Sequence, residues 1–382
     1  MTDPRFDDIR PYDDHEVPAA MQRIADNEAF PLISNYIYPG REIAGVRQLF
    51  KSIGSVNDLQ NIIMPDVVEA LIAKGTDGFT WDGLHRLDKG RNYLFVSNHR
   101  DIVLAAMLQQ YALWKEGFDT AEITFGANLM SGQLITDIGR ANKMFRVERP
   151  RLSVTSPREF YKSSLHLSDY LHYCITEKKQ SVWIAQRNGR TKNGVDATDS
   201  GIIKMFTMGH PDDKVESLAE LNIVPMSISY EWEPCDVLKA LEIYESARST
   251  YTKKPGEDLN SIMTGLVSKK GRVHINFGEL LSRPALESLS GLTLNQYCKD
   301  VAAILDRRIC LGYKLMPNNY IAHDLLYGDN ACAPFYNATQ KEAFLEHMSV
   351  LERYDTCDRD ELREIFLGIY ANPVDSVRKF SR

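Results

Sequence analysis

Residues 91–113 read RNYLFVSNHRDIVLAAMLQQYAL, a polar turn between two apolar segments. Residues 92–97 are apolar and β-prone and end in polar side chains, which predicts a short buried strand. Residues 102–115 are rich in Leu, Ala and Met, which predicts a buried helix. In open α/β sheets, ligands bind beyond the carboxyl ends of strands, where helix N-termini also point. The turn between the two segments is therefore a candidate functional site.

His99 and Asp101 lie in this turn with one residue between them. A histidine and an acid placed in this way can serve as a general base and the group that orients it. The structural alternative is that Asp101 is an N-cap for the following helix and that His99 is a loop histidine bonded to backbone. The turn by itself leaves both alternatives open.

The composition is that of an ordinary globular protein with a large core: 382 residues, a formal net charge of −7 and 43% hydrophobic residues. The mild acidity argues against a broad nucleic-acid surface. Six scattered cysteines without a C-x-x-C pair predict reduced thiols in a cytoplasmic protein and no zinc site. The acidic, polar N-terminus is unlike a signal peptide, and no apolar run approaches the ~18–20 residues of a membrane span. We therefore expect any contact with the inner face of the cell membrane to be peripheral.

The hydrophobic pattern divides the chain into three regions: a helical N-terminal region 1–80, an α/β domain 81–282, and a helical C-terminal region 283–382 packed on it. Apolar spacing over 46–53 and 59–63 is helical, and this amphipathic stretch either packs on the core or lies on a lipid surface. Within the middle region, strand-like and helical segments alternate, which predicts an α/β domain. The predicted strands are 92–97, 122–127, 143–148, 180–186, 222–230 and 271–277, and the predicted helices between them are 102–115, 157–178, 235–247 and 257–269.

Several strand-like segments run into cationic loops, although the protein is net acidic. Arginine forks match phosphate oxygens, and glycines such as Gly189 let backbone amides approach a ligand. The loops therefore predict a pocket for an anionic substrate, with solvated basic loops as the alternative. The cations concerned are Arg146, Arg149, Arg187, Arg190 and Lys192.

Five blocks resemble, in order and spacing, the motifs of the glycerolipid acyltransferase superfamily, most closely its glycerol-3-phosphate acyltransferase branch. The resemblance covers roughly residues 80–282, and the five blocks follow the His99 turn. The blocks are Gly126-x-Asn128-Leu129, Phe145-x-Val147-x-Arg149, Gly189-Arg190-Thr191-Lys192, Val224-Pro225 to Tyr230-Glu231, and Val273-His274-Ile275-Asn276-Phe277-Gly278-Glu279.

The resemblance implies a mixed sheet flanked by helices and an acyl transfer from a thioester to a glycerol hydroxyl. His99 would be the general base and Asp101 the acid that holds its tautomer. The five cations would bind the acceptor phosphate. No metal or bound cofactor is implied, because acyl-CoA or acyl-carrier protein is a substrate. The pocket would be lined by Asn98, Asn128, Gly189, Thr191 and Pro225.

The chain departs from the family pattern at two places. The family has four residues between His and Asp, whereas here only Arg100 intervenes, and the usual register from His99 falls on Leu104. In the third block, Asn188 takes the place of an acidic residue. Three hypotheses follow: a glycerol-3-phosphate acyltransferase in phospholipid synthesis, a 1-acylglycerol-3-phosphate acyltransferase, and a protein that binds phospholipid or acyl carrier without catalysis.

Overall fold

A computed structural model describes residues 3–130, 132–148, 156–254 and 256–381. Its centre is a seven-stranded sheet in the order β1-β7-β6-β2-β5-β3-β4. The strands are β1 (Gly78–Asp82), β2 (Leu94–Ser97), β3 (Glu122–Gly126), β4 (Met144–Val147), β5 (Val182–Ala185), β6 (Ile223–Tyr230) and β7 (Arg272–Phe277).

Helices precede, connect and follow the strands. The α-helices are α1 (Val17–Asp26), α2 (Phe30–Ile37), α3 (Ile43–Lys51), α4 (Val56–Asp58), α5 (Met64–Gly75), α6 (Leu104–Lys115), α7 (Gln133–Ala141), α8 (Pro157–Thr176), α9 (Ser200–Phe206), α10 (Lys214–Glu220), α11 (Asp236–Ser246), α12 (Glu257–Val267), α13 (Arg283–Glu287), α14 (Leu294–Gly312), α15 (Pro317–Tyr327), α16 (Ala338–Met348) and α17 (Arg359–Ser381).

The sheet is mixed, with β2 near its middle. Strand β2 is parallel to both of its neighbours, β5 and β6, and β3 and β4 continue the parallel part. Strand β7 runs antiparallel to β6 and pairs in parallel with β1 at the edge. The carboxyl ends of β2, β5 and β3 therefore meet at one edge of the sheet.

Both faces of the central strands are covered, which explains their nearly continuous apolar sequence. Leu94 and Val96 point into a core shared with α8, α9 and α14, whereas Phe95 points into a core shared with α5 and α6. The last residues before α8 also explain where that helix begins. The Ser156 hydroxyl accepts from the amide of Glu159, and the Glu159 carboxylate accepts from the Ser156 amide, which is a capping box.

The terminal regions form two further apolar clusters. In the N-terminal one, Val46, Phe50, Ile53, Leu59 and Ile63 are all buried together. The amphipathic stretch therefore packs on the protein, which was the first of its two alternatives. In the C-terminal cluster, α15, α16 and α17 pack against α11.

The predicted α/β class, mixed sheet and helical terminal regions are confirmed. All six predicted strands are present within one or two residues of their predicted ends. Strand β1 was not predicted, and it lies across the proposed boundary at residue 80. Its side chains alternate between exposed and half-buried at the sheet edge, so its sequence lacks a buried apolar run. The division into three domains stays a prediction.

Among the described residues, no helix combines the length and the apolar character needed to cross a membrane.

Candidate active site

The site is built on the turn between β2 and α6. Strand β2 ends at Ser97 and α6 begins at Leu104, so the turn leaves the sheet at the edge where β5 and β3 also end. Four consecutive polar side chains of this turn, Asn98 to Asp101, are buried. Burying four polar residues is costly unless each is hydrogen-bonded, so this turn is held in one arrangement by its partners.

His99 is 6% exposed and packs with its ring edge-to-face against Trp183 of β5, with 6.0 Å between ring centroids. Its backbone carbonyl accepts a hydrogen bond of 2.7 Å from the amide of Thr191. The loop after β5 is thereby joined directly to the His99 turn. The imidazole lies at the wall of a cavity between the ends of β2, β3 and β5.

Asp101 is bound to the first turn of α6. One carboxylate oxygen accepts from the amide of Val103 at 2.9 Å, and the other accepts from that of Ala105 at 3.1 Å. The second oxygen also accepts a 2.5 Å hydrogen bond from the hydroxyl of Tyr230 on β6. Asp101 therefore binds the free amides at the start of α6, although the N-cap position itself is Val103. With the Leu104 amide, which also donates to it, four donors occupy the Asp101 carboxylate, and a carboxylate offers about four acceptor directions. The predicted role of Asp101 beside His99 stays a prediction.

The cavity has a volume of about 70 Å³ and brings together residues from four separate segments. Of the predicted residues, His99, Asn128, Gly189 and Arg190 line it. Lys253 and Asp258, which were not predicted, complete the rim at the start of α12. The Asn128 amide donates to the Asp258 carboxylate at 3.1 Å, which closes the loop after β3 onto α12.

Arg190 is the predicted cation that faces the same cavity as His99. Its Nη2 donates to the hydroxyl of Ser261 on α12 at 3.2 Å. Its Nη1 is buried and has no oxygen or nitrogen partner among the described residues, and the Cys235 thiol is a weak acceptor within hydrogen-bonding range of the guanidinium. A buried cationic donor with only a weak sulfur acceptor beside it is well suited to an anionic group of a ligand.

The other predicted cations are engaged elsewhere or lie outside this cavity. Arg146 is half exposed on the outer strand β4 and pairs with Glu148 at 2.6 Å. Lys192 pairs with Glu242 of α11. Arg187 is half-buried and does not line the cavity. Arg149 lies outside the described residues. Of the four predicted cations that the structure describes, Arg190 is the one that lines this cavity.

Three of the predicted pocket residues do not line the cavity, and instead they make hydrogen bonds that hold the neighbouring backbone in place. Asn98 is fully buried, and its side chain exchanges hydrogen bonds of 3.1 and 2.8 Å with the backbone of Ile228 on β6. Thr191 is buried and holds the His99 carbonyl through its amide. Pro225 lies within β6, where its carbonyl accepts from the amide of Gly278 at 2.8 Å.

A buried cluster of charges beneath the turn was missed by the sequence analysis. The Arg100 guanidinium donates to Asp196 at 2.7 Å and lies 3.6 Å from Glu233, and its side chain is 1% exposed. Lys239 donates to Glu233 at 2.6 Å and to the Arg100 carbonyl at 2.6 Å. The ring of Tyr313 lies 5.0 Å from the guanidinium. The positive charges of Arg100 and Lys239 and the negative charges of Asp196 and Glu233 therefore compensate one another next to the His99 turn.

The pKa shifts in this region follow from burial and from these pairs. Burial lowers the pKa of Lys239, and the charge of Glu233 only partly opposes that. Burial would also lower the pKa of Arg100, but Asp196 and Glu233 outweigh it, so that the pKa is raised. Burial, together with the charge of Asp101, raises the pKa of Tyr230 well above its usual range. Tyr230 therefore remains the donor in its bond to Asp101.

No known protein-family model matches the chain, and no curated protein sequence matches it. Among solved structures, the chain is similar to the 1-acyl-sn-glycerophosphate acyltransferase PlsC from Thermotoga maritima, at 11% identity and a TM-score of 0.33. That match covers 75% of this chain and 91% of the other. At this identity and TM-score, the similarity carries no argument about activity.

Proposed function

We propose that the protein is an O-acyltransferase that moves a fatty acyl group from acyl-CoA or acyl-carrier protein to the hydroxyl of glycerol-3-phosphate. The observation that carries the proposal is one cavity lined by both the His99 imidazole and the partly unsatisfied guanidinium of Arg190. A base and an anion-binding cation that line the same cavity match an acceptor with a hydroxyl close to a phosphate. The motif order in the sequence supports the same reaction.

In this reaction, His99 takes the proton of the acceptor hydroxyl as its oxygen attacks the thioester carbonyl carbon. The new C–O bond forms a tetrahedral intermediate, which collapses with cleavage of the C–S bond. The imidazolium then returns the proton to the departing thiolate, so that ester and free thiol are the products. Asp101, two residues beyond His99, is proposed to orient the imidazole and to stabilise its positive form.

The first experiment measures thiol release from palmitoyl-CoA and from palmitoyl-acyl-carrier protein, with glycerol-3-phosphate, with 1-acylglycerol-3-phosphate and without acceptor. We expect acceptor-dependent release that falls about 10²–10⁴-fold in His99→Ala. His85→Ala, at an exposed histidine outside the cavity, is the matched control. If release is the same in His99→Ala as in the wild type, His99 is not the base.

The acceptor arms distinguish the candidate functions. Release with 1-acylglycerol-3-phosphate alone would identify the runner-up transferase. The third hypothesis, a protein that binds without catalysis, predicts a different result. Neither acceptor would then produce thiol release with either donor, while the protein would still bind acyl-carrier protein or phospholipid.

Asp101→Asn separates the orienting role from the capping role. Asparagine is also a good cap, so the variant retains an acceptor for the amides of α6 while losing the negative charge. We expect a kcat at least about tenfold lower and a fall in melting temperature, because asparagine retains only one of the two oxygens that accept hydrogen bonds. The kcat per folded molecule is therefore the quantity that decides. If the melting temperature falls while kcat per folded molecule stays constant, Asp101 stabilises the start of α6 but does not orient His99.

A further inference from the structure

A second group of chemically active side chains lies on the face of the sheet that α8 covers, away from the His99 cavity. It consists of His172 in α8, His210 in the turn after α9, and Glu220 at the end of α10. One ligand atom from each lies within 4.8 Å of the others. His172 is buried, while the side chain of His210 is 45% exposed, so the group can be reached from solvent.

The hydrogen bonds of His172 fix which ring nitrogen carries a proton. Its Nε2 lies 3.0 Å from the carbonyl oxygen of Phe206, which can only accept, so Nε2 must be the N–H. In the neutral ring, Nδ1 is then a lone pair, and it faces the Glu220 carboxylate directly. A carboxylate also only accepts. A positive species is therefore needed by the two acceptors. A second proton on the ring would supply it at the present close contact, and a metal ion would supply it once the two side chains move apart to the usual separation of two ligands.

The surroundings match those of a metal site. The His210 Nε2 lies 2.9 Å from the other oxygen of Glu220, so that two imidazoles converge on one carboxylate. Two imidazole nitrogens and a carboxylate are a donor set that zinc favours, with a fourth position open. The bond from His172 Nε2 to a backbone carbonyl is the outer contact that metal-bound histidines usually make.

We propose that His172 Nδ1, His210 Nε2 and Glu220 bind a divalent transition-metal ion, with Zn²⁺ the best-matched ion. The ion would join α8 to α10 and to the turn before it, with water as its fourth ligand, at a place separate from the His99 cavity. The pattern was missed because its ligands are separated by 38 and 10 residues, without a local motif. This proposal differs from the sequence prediction of no metal site, and the experiment below decides between the two.

A second group of residues with suitable ligand atoms lacks the unfilled need for a positive charge that His172 and Glu220 show. His323, Asp324 and Cys332 also lie close together and are buried. There, however, Arg378 donates to His323 Nε2 at 2.8 Å and to the Cys332 sulfur at 3.0 Å. Nδ1 of a neutral ring must then carry the proton, and a guanidinium already supplies the positive charge. That group carries no metal proposal.

The test titrates the full-length, chelator-treated protein with ZnCl₂ alone, following heat of binding and thermal melting. We expect one Zn²⁺ per chain and, at about a hundredfold excess over Kd, a rise of about 3 °C in Tm. His210→Ala and Glu220→Gln, at the two more exposed ligands, should each weaken binding by at least about tenfold. Co²⁺ bound to the wild type should give the visible absorption of a four-coordinate site.

His166→Ala is the matched control, because His166 lies on the same helix and its Nε2 contacts Asp8 at 3.0 Å without a third ligand. Its Zn²⁺ affinity should equal that of the wild type. The proposal is overturned if the wild type binds no stoichiometric Zn²⁺, in which case the pair is an imidazolium and a carboxylate. It is overturned equally if His210→Ala and Glu220→Gln bind as tightly as His166→Ala.

Discussion

Arg190 combines two properties at the level of a single residue: it shares a cavity with His99, and among the described residues its buried Nη1 has no oxygen or nitrogen partner. A hydrogen bond to a charged group contributes about 1.5–3 kcal/mol. If the acceptor phosphate takes that donor, Arg190→Met should raise the KM for the acceptor by about tenfold or more with a smaller change in kcat.

Steady-state kinetics with varied acceptor concentration would measure this, with Arg283→Met as the control. Arg283 is an exposed arginine that pairs with Glu216 and does not line the cavity. A reduced kcat with an unchanged KM would argue that Arg190 does not bind the acceptor.

Arg100 is the residue at which a single substitution should cost most stability. Arg100→Met leaves Asp196 and Glu233 buried with only Lys239 as compensation. Removing one partner of a buried ion pair costs about 3–5 kcal/mol, so we expect a loss of this size in the free energy of unfolding measured with urea. Arg283→Met, at an exposed pair, should cause a far smaller loss. Equal losses in the two variants would contradict a structural role for the buried cluster.

The sequence was sufficient to predict the location of those site residues that directly follow the end of a strand. His99 and Gly189 follow β2 and β5, which are parallel neighbours, so their meeting at one cavity could be predicted. Side-chain partners from distant segments could not be predicted. Lys192 was predicted to line the pocket, whereas it pairs with Glu242, 50 residues away. Nothing in the sequence indicates that pair. The partners of Arg100 were hidden for the same reason.

At the scale of elements, the loop after β5 is attached to the C-terminal helix α17 by very close backbone packing. Gly194 has φ +80°, and a Cβ there would lie 2.2 Å from the carbonyl oxygen of Ile369. Gly189 has a similar φ of +75° but open space around it. Gly194→Ala should therefore destabilise the protein by clearly more than the ~1 kcal/mol expected for strain alone, which Gly189→Ala isolates. Urea unfolding of both variants would measure the difference, and equal losses would argue against the close packing.

Helix α12 presents an apolar stripe beside the mouth of the cavity. Leu259, Met263 and Val267 are spaced by four residues and are 59%, 51% and 62% exposed. Lys253 and Lys254 precede the helix and Lys269 follows it. An apolar stripe with flanking lysines is suited to an anionic bilayer surface. The sequence prediction of a peripheral membrane contact can therefore be tested at α12.

Substituting all three stripe residues with serine should reduce co-sedimentation with vesicles containing anionic lipid by about tenfold or more. The control is Leu32→Ser, at a leucine that is 76% exposed but isolated on α2. Undiminished binding of the triple variant would exclude α12 as the contact.

The elements that could be predicted are those with a strong apolar pattern. Strands β2, β5 and β6 are buried along their whole length, and their apolar runs stand out in the sequence. Strand β1 and the seven-residue helices α9 and α10 were not predicted. An edge strand needs few apolar residues, and a two-turn helix shows too little periodicity to separate from a loop.

At the scale of the whole molecule, the lowered pKa of His274 makes the free energy of unfolding depend on pH. Burial, together with the nearby charge of Lys314, lowers its pKa to about 4. The unfolded chain, with an ordinary pKa near 6.5, then binds more protons than the folded protein between about pH 4 and 6.5. The free energy of unfolding should therefore fall as the pH is lowered through this range. His274→Gln should reduce that slope in urea unfolding at pH 4.5, 5.5 and 7, and an unchanged slope would contradict the assignment.

The order of strands in the sheet also bears on how the protein is made. Thr80 of β1 meets His274 of β7 across 194 residues, and Asn98 meets Ile228 across 130. A ribosome adds about 5–20 residues per second, so β1 emerges roughly 10–40 s before its partner exists. During that interval the nascent chain carries an unpaired strand and an incomplete His99 turn. Synthesis thus imposes a delay during which chaperones have the most to protect.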